Sequence, residues 1–360
     1  MDKSVFYGDD DEESRDSGGD KRSRRGRGKL LLPYDMEVET LSRLPGKSLM
    51  KLLCVSKTWS SFIRSQRFVA SYYAAKPSRF VAAFTNSVFG KPEHLFILSG
   101  EEEEASSSSS SSLVANLDMT IPSVTLPYNG YKYSSVHGFM ACNDGTTFII
   151  CNPSTRQVVS FHCKAFRTSL GYDPVHDQFK ALTLLTSVYD HIHNPSLMMC
   201  THEVIRLGRG GVVVSRSSQV TSPYYLPMTV GRCINGFMYY GASVPVPNEA
   251  ETPPTPVFVC FDVRNERILS FITTPKEVLV WKRLISQGTN KAGEIIFSPT
   301  TLPGRAKPFY VFYFNTDTKS ARRVRIHGVA DTEEFWSRYG LTGVCCASFS
   351  PQHADSIAFL

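Results

Sequence analysis

Between Leu32 and Ile63, reading LPYDMEVETLSRLPGKSLMKLLCVSKTWSSFI, apolar positions recur at helical spacing in stretches too short to enclose a core alone. Met36, Leu41 and Leu44 predict a first helix opened by Pro33, whose missing N–H has no partner in a first helical turn anyway. Pro45 biases Leu44 away from the helical region and Gly46 loosens the turn, so a second helix is expected from about Ser48, with Leu49, Leu52 and Leu53 on one side. Ser56 is placed to cap a third helix, in which Val55, Trp59, Phe62 and Ile63 fall at i, i+4, i+7 and i+8, the spacing of one buried face. Units below about 40 residues need a staple or a partner, and this one has a lone Cys54 and no metal-ligand spacing. Its apolar faces must be covered by the domain that follows or by another protein.

From Phe80 onward the pattern changes to short β-branched and aromatic runs broken by Gly, Pro, Asn and Asp, with helical spacing only at Glu333 to Tyr339. One unit recurs, an apolar strand, a polar turn and a second strand: FIICNPSTRQVVSF from Phe148, VFVCFDVRNERILSF from Val257 and YVFYFNTDTKSARRVRI from Tyr310, with GYDPVHDQFKALTLL from Gly171 as a looser copy. Gly-led strands, GFMAC from Gly138 and GFMYYGA from Gly236, precede two of these hairpins and extend them to antiparallel meanders. Blades of about 40 to 50 residues would divide the chain after position 75 into roughly six, a propeller-like arrangement; a two-sheet sandwich is the alternative.

The two Leu-Pro pairs Leu32-Pro33 and Leu44-Pro45, followed by KSL at Lys47 to Leu49 and CVSKTW at Cys54 to Trp59, closely resemble an F-box. That resemblance implies docking on a Skp-family adaptor and, through it, on the cullin and RING subunits of an SCF-type ubiquitin ligase. It assigns most of the adaptor contact to Leu32, Pro33, Met36, Leu44, Pro45, Leu49, Cys54, Val55 and Trp59, with Trp59 as the hot spot. Thr40 and Gly46 depart from the family pattern, which puts larger aliphatic residues at these places. The segments CNPSTRQ at Cys151, LGYDP at Leu170, GRCINGFMYYGA at Gly231 and CFDVRNERILSFI at Cys260 resemble the type-3 F-box-associated domain of plant proteins. This second resemblance covers roughly Phe80 to the C-terminus and implies a scaffold for an unidentified protein target. The expected fold is α+β multidomain: a disordered tail at 1–29, a short helical F-box at 30–75, and a large all-β, propeller-like F-box-associated domain at 76–360 with a low-complexity loop at 101–112.

Composition sharpens the two ends of this picture. The acidic cluster Asp9 to Glu13 precedes KRSRRGRGK at Lys21 to Lys29, which packs six basic residues into nine. Such a tail cannot bury enough apolar area to order itself, and the basic run is a candidate nuclear-import signal, so nucleus and cytoplasm are both expected locations. No aromatic residue interleaves the run to stack on bases, and a net charge of +6 is modest for 360 residues, so nucleic acid is not an expected partner. No apolar run approaches the ~18 residues of a membrane span, and no apolar leader opens the chain, so no membrane association is expected. Nine scattered cysteines, an odd number, read as buried thiols of a reducing compartment, the adjacent Cys345 and Cys346 included.

Candidate chemistry is sparse. His191, His193, Cys200 and His202 carry metal-ligating types, but Asn194-Pro195 predicts a turn and no CxxC accompanies them, so no metal site is assigned. LGRGGVVVS from Leu207 has the glycines of a phosphate loop, yet Val212 to Val214 favour a strand where a helix would have to follow, which makes a hairpin turn the better reading. There is no GxSxG elbow and no histidine constellation with Ser or Cys, so neither a catalytic role nor a cofactor is expected. Two other functions remain open at this point: an interaction module working outside a ligase, and a catalytic β-propeller. Tyr224, Tyr225 and Trp281 are candidate aromatics for target recognition on the β domain's loops.

Overall fold

The computed structural model describes residues 33–86, 93–101, 112–124, 133–164, 167–187, 199–221, 224–244, 254–273, 284–290, 292–315, 318 and 320–358. The expected tail 1–29, Leu32, His191, His193, Trp281 and the Glu/Ser run at 102–111 lie outside these residues.

Four helices come first: α1 (Tyr34–Ser42), α2 (Gly46–Leu52), α3 (Lys57–Ile63) and α4 (Gln66–Ala75). The prolines of both Leu-Pro pairs, Pro33 and Pro45, stand at helix starts. Pro33 accepts at its carbonyl from the N–H groups of Met36 and Glu37, and Pro45 from those of Ser48 and Leu49, at 2.9–3.2 Å. Because Pro45, with φ −61° and ψ 146°, is itself the N-cap, α2 begins at Gly46 and not two residues later at Ser48. Ser56 caps α3 through the Trp59 N–H at 3.1 Å. The helix that sequence reading missed, α4, carries the same signal: Ser65 accepts from Phe68 N–H, and Phe68 and Tyr72 lie one turn apart, both buried.

The remainder is five sheets, antiparallel except for one strand pair in the fifth, arranged as the blades of a ring. In chain order the strands are β1 (Ser78–Thr85), β2 (Glu93–Glu101), β3 (Ser112–Val114), β4 (Asn116–Val124), β5 (Ser134–Val136), β6 (Phe139–Asp144), β7 (Thr147–Asn152) and β8 (Gln157–His162). There follow β9 (Thr168–Asp173), β10 (Gln178–Ser187), β11 (Met199–Leu207), β12 (Val213–Thr221), β13 (Leu226–Pro227), β14 (Arg232–Ile234), β15 (Phe237–Val244), β16 (Thr255–Asp262) and β17 (Arg267–Thr273). The last blade uses β18 (Leu284–Thr289), β19 (Ile295–Pro299), β20 (Phe309–Asn315) and β21 (Ser320–His327); α5 (Glu333–Arg338) and β22 (Ala347–Ala354) complete the chain. Three blades are simple meanders, β5 to β8, β9 to β12, and β13/β14 to β17; in the last, β13 and β14 both pair with β15 as one interrupted strand. The inner strands β22, β5, β9, β14 and β18 neighbour one another around a common axis. The sandwich alternative falls, and the expected six blades become five, because the α5 excursion between β21 and β22 takes up length that equal division assigned to strands.

The recurring hairpins owe their turns to one device. Asn152, Asp173 and Asp262 each accept at Oδ1 from the backbone N–H groups two and three residues on, at 2.9–3.3 Å, and the residue four places on, Arg156, Asp177 or Glu266, takes a positive φ. His137-Gly138 and Asn235-Gly236 use a second device, with positive φ at both positions, as a tight two-residue hairpin with right-handed strand twist requires. All these turns lie at one end of the ring, together with the link from α4 to β1. The glycine-rich run at Leu207 is likewise a hairpin turn, between β11 and β12, with Gly210 and Gly211 at positive φ.

The ring is closed by its ends. β22 pairs with β1 as the inner strand of the first blade, and Phe349 stacks on Phe80 with centroids 5.3 Å apart. β3 leaves that blade to pair in parallel with β21 at the outer edge of the fifth. The cores lie between sheets; in one, His202 Nε2 shares hydrogen bonds with the hydroxyls of Tyr225 and Tyr240, the latter at 3.2 Å.

Burial lowers the His202 pKa to about 4, so the imidazole stays neutral in the folded chain where the unfolded chain protonates it near 6.5. The unfolded state therefore takes up a proton in that window, and stability present above pH 6.5 is lost as the pH falls through 4. Replacing His202 by Gln is expected to remove about 3 kcal/mol of the difference between urea-unfolding free energies at pH 7 and pH 4. An unaltered pH dependence would contradict a buried neutral His202.

Candidate functional site

The helical unit has two unlike faces. Its inner face gathers Leu41, Leu49, Ile63, Phe68 and Tyr72, all buried, around the propeller's own Ile357. An aromatic series, Tyr34, Phe62, Phe68 and Tyr72, runs through it at centroid separations of 5.3, 5.1 and 6.2 Å. The Leu44 carbonyl accepts from Tyr72 Oη and Lys76 Nζ, both at 3.2 Å, which pins the second Leu-Pro turn to α4. Leu44 itself is half-buried against this cluster.

The outer face is uncovered. Val55 is 67% exposed, Met36 55% and Trp59 37%, with Pro33, Pro45 and Cys54 exposed as well. Beside them the α2–α3 corner forms a groove of about 600 Å³ lined by Leu53 to Lys57, Ser60, Ser61 and Arg64. Of the expected one-sided set on α3, Ile63 turns fully inward and Phe62 partly, whereas Val55 and Trp59 turn out. Of the nine residues named from the motif, Leu49 is buried, Leu44 half-buried, Leu32 undescribed, and the other six exposed.

A built joint fixes this unit to the turn-bearing end of the propeller. Ile357 enters the helical cluster, and the start of α2 lies so close that a Cβ on Gly46 would meet Ser154 Cβ at 3.1 Å. The small residue that departs from the family pattern stands at this close approach. His137 is stacked between Tyr73 of α4 and Tyr172 of β9, with centroids 4.1 Å away on each side. Asp177 accepts from Gln66 Nε2 at 3.0 Å and from Tyr172 Oη at 2.6 Å. Ile357, His137 and Tyr172 were not legible as joint residues, since nothing local to them signals a partner more than 60 positions away.

Tyr225, a candidate for target recognition, is fully buried with its hydroxyl engaged, and Tyr224 is partly buried beside it. Cys200 and His202 lie within the blade core, and among the described residues no group of three or more His, Cys, Asp or Glu is arranged to hold a metal. All nine cysteines are free thiols; burial raises those of Cys142 and Cys151, the latter to about 12. No described helix is long and apolar enough to cross a membrane.

Comparison with protein families matches an F-box domain over residues 30–71 and an F-box associated β-propeller domain over residues 81–286 and 276–353. An F-box protein of Arabidopsis thaliana is 38% identical over 404 residues, spanning 91% of this chain and 98% of that one. F-box protein DOR of the same plant is 28% identical over 364 residues, spanning 83% and 88%.

The joint makes a mechanical prediction. Ile357→Ala leaves a cavity shared by both units and is expected to cost about 2–5 kcal/mol, and Gly46→Val about 1–3 kcal/mol by forcing α2 off Ser154. Both variants should show faster limited proteolysis between Ala75 and Ser78; wild-type cleavage rates in both would show that the contacts do not hold the units together.

Proposed function

The chain belongs to the F-box proteins that carry an F-box associated β-propeller domain, and from that premise we propose that it is the target-recognition subunit of an SCF-type ubiquitin ligase. The observation that carries this reading is the uncovered apolar set Met36, Val55 and Trp59 on a helical unit whose other face packs around Ile357. In the proposed complex a Skp-family adaptor covers that set, with Pro33, Pro45 and Cys54 around it and Leu44 at its edge. Leu49 supports the contact from behind. Full burial of Val55 or Met36 would contribute about 1.5–3 kcal/mol each, and Trp59 is the expected hot spot.

The adaptor joins the chain to cullin and RING subunits, which hold the isopeptide chemistry. The propeller holds a protein target, so that target lysines meet the ligase at high effective concentration instead of by free encounter. The helices occupy the turn-bearing end of the ring, which leaves the opposite end for the target. The joint matters here, because its contacts set the distance from adaptor to target. The basic run Lys21 to Lys29 supports action in the nucleus as well as the cytoplasm.

The test is a binding assay with purified Skp-family adaptor, using Val55→Ala together with Trp59→Ala. Their exposure predicts stability close to wild type, whereas adaptor affinity is expected to fall about 30-fold or more, equivalent to ~2 kcal/mol. Wild-type affinity in the folded double variant would refute the docking face. Proteins captured from proteasome-inhibited cells by wild type and variant alike would be targets of the propeller.

A further inference from the structure

A cavity of about 480 Å³ opens on the propeller axis at the end that carries the helices. All five inner strands reach it, and Tyr73 of α4 forms part of its wall. Its volume falls in the range of about 300–1,000 Å³ common to small-molecule sites. Val136, Pro174 and Pro351 give it apolar surface, and among the described residues that line it there is no Asp or Glu.

One cation faces this space. Arg232, on β14, is partly buried and makes a single side-chain bond, to Gln287 Oε1 on β18 across the axis. Among the described residues no carboxylate pairs with it. The contrast with other arginines is clear: Arg206 grips Glu266 with two bonds, at 2.7 and 2.5 Å, and Arg322 grips Glu294 with two, at 3.1 and 2.7 Å. A guanidinium has five donors in a fork that matches carboxylate or phosphate oxygens, and most of those of Arg232 are unused. Burial lowers its pKa to about 10, so it remains charged at neutral pH in a place where a charge without a counter-ion is costly.

We propose that the axial cavity is a binding site for a small organic anion, whose carboxylate or phosphate bonds to the Arg232 guanidinium while its apolar part packs against Val136, Pro351 and Tyr73. The ligand bridges the inner strands and α4, so its occupancy bears on the joint between helices and propeller. The site is separate from the docking face and stands whether or not the helices bind an adaptor.

The experiment is calorimetric titration of the full chain with phenyl phosphate and with inorganic phosphate at constant ionic strength. Phenyl phosphate is expected to bind saturably at one site and at least tenfold more tightly than inorganic phosphate. Arg232→Met is expected to weaken it at least tenfold. Arg232→Lys, which keeps the charge without the fork, should weaken it at least threefold. Arg209→Met, on the β11–β12 turn, should leave it unchanged. Failure of wild type to saturate at millimolar phenyl phosphate would overturn the proposal and leave Arg232 as a brace between β14 and β18. Equal affinity for the two probes, or full affinity in Arg232→Met, would overturn it as well. If Arg232→Met does not fold, full affinity in Arg232→Lys decides against it.

Discussion

The twelve residues from Ala347 to Ala358 hold the molecule together twice. As β22 they supply the inner strand of the first blade, so that the last segment of the chain and one of the earliest share a backbone ladder and a stacked Phe80–Phe349 pair. Just beyond the strand, Asp355 accepts from Arg79 at 3.2 Å and from Ser154 Oγ at 2.9 Å, and the Ser356 carbonyl accepts from Asn152 Nδ2 at 2.8 Å. Ile357 then fills the helical cluster. Neither the ring nor the helical unit is complete until this segment is in place. Bringing together residues so distant in the chain adds loop-closure entropy that local hairpins avoid, and topologies rich in such contacts fold slowly.

This closure explains how a unit too small to stand alone is stable and still has apolar side chains free. The inner positions of α1 to α4 are covered by one another and by Ile357, so Val55, Trp59 and Met36 are not needed for the core. The expectation posed two ways of covering the helices, by the following domain or by another protein. The following domain covers the inner face through Ile357, and the outer face is left open. A helix whose apolar spacing would fit one buried stripe is thereby divided into a structural half and an available half.

The same end of the ring carries the helices, the tight turns and the axial cavity. Short turns built on Asn152, Asp173 and Asp262 keep that end low enough for helices to pack closely on it, and Gly46 permits the approach to Ser154. His137, held at positive φ between two tyrosines, is both a hairpin corner and a joint residue. Fold, joint and cavity therefore share residues and would respond together to a change at any of them.

What the sequence by itself determined is local. Helix caps at Ser56, the turn-forming role of the Leu-Pro pairs, the hairpins at Phe148, Gly171, Val257 and Tyr310, the turn at Leu207, the helix at Glu333 and the two family resemblances could be read because each depends on bonds and sterics within a few residues. The tertiary structure alone decided that Val55 and Trp59 face out while Ile63 faces in, and that Tyr225 is sealed in a core. It also decided that there are five blades, that Ile357 belongs to the helices, and that Arg232 faces a cavity. Those outcomes depend on which surfaces meet across tens to hundreds of residues. Periodicity marks a side chain as apolar and places it on a face, but only the element that arrives against that face determines whether water is excluded from it.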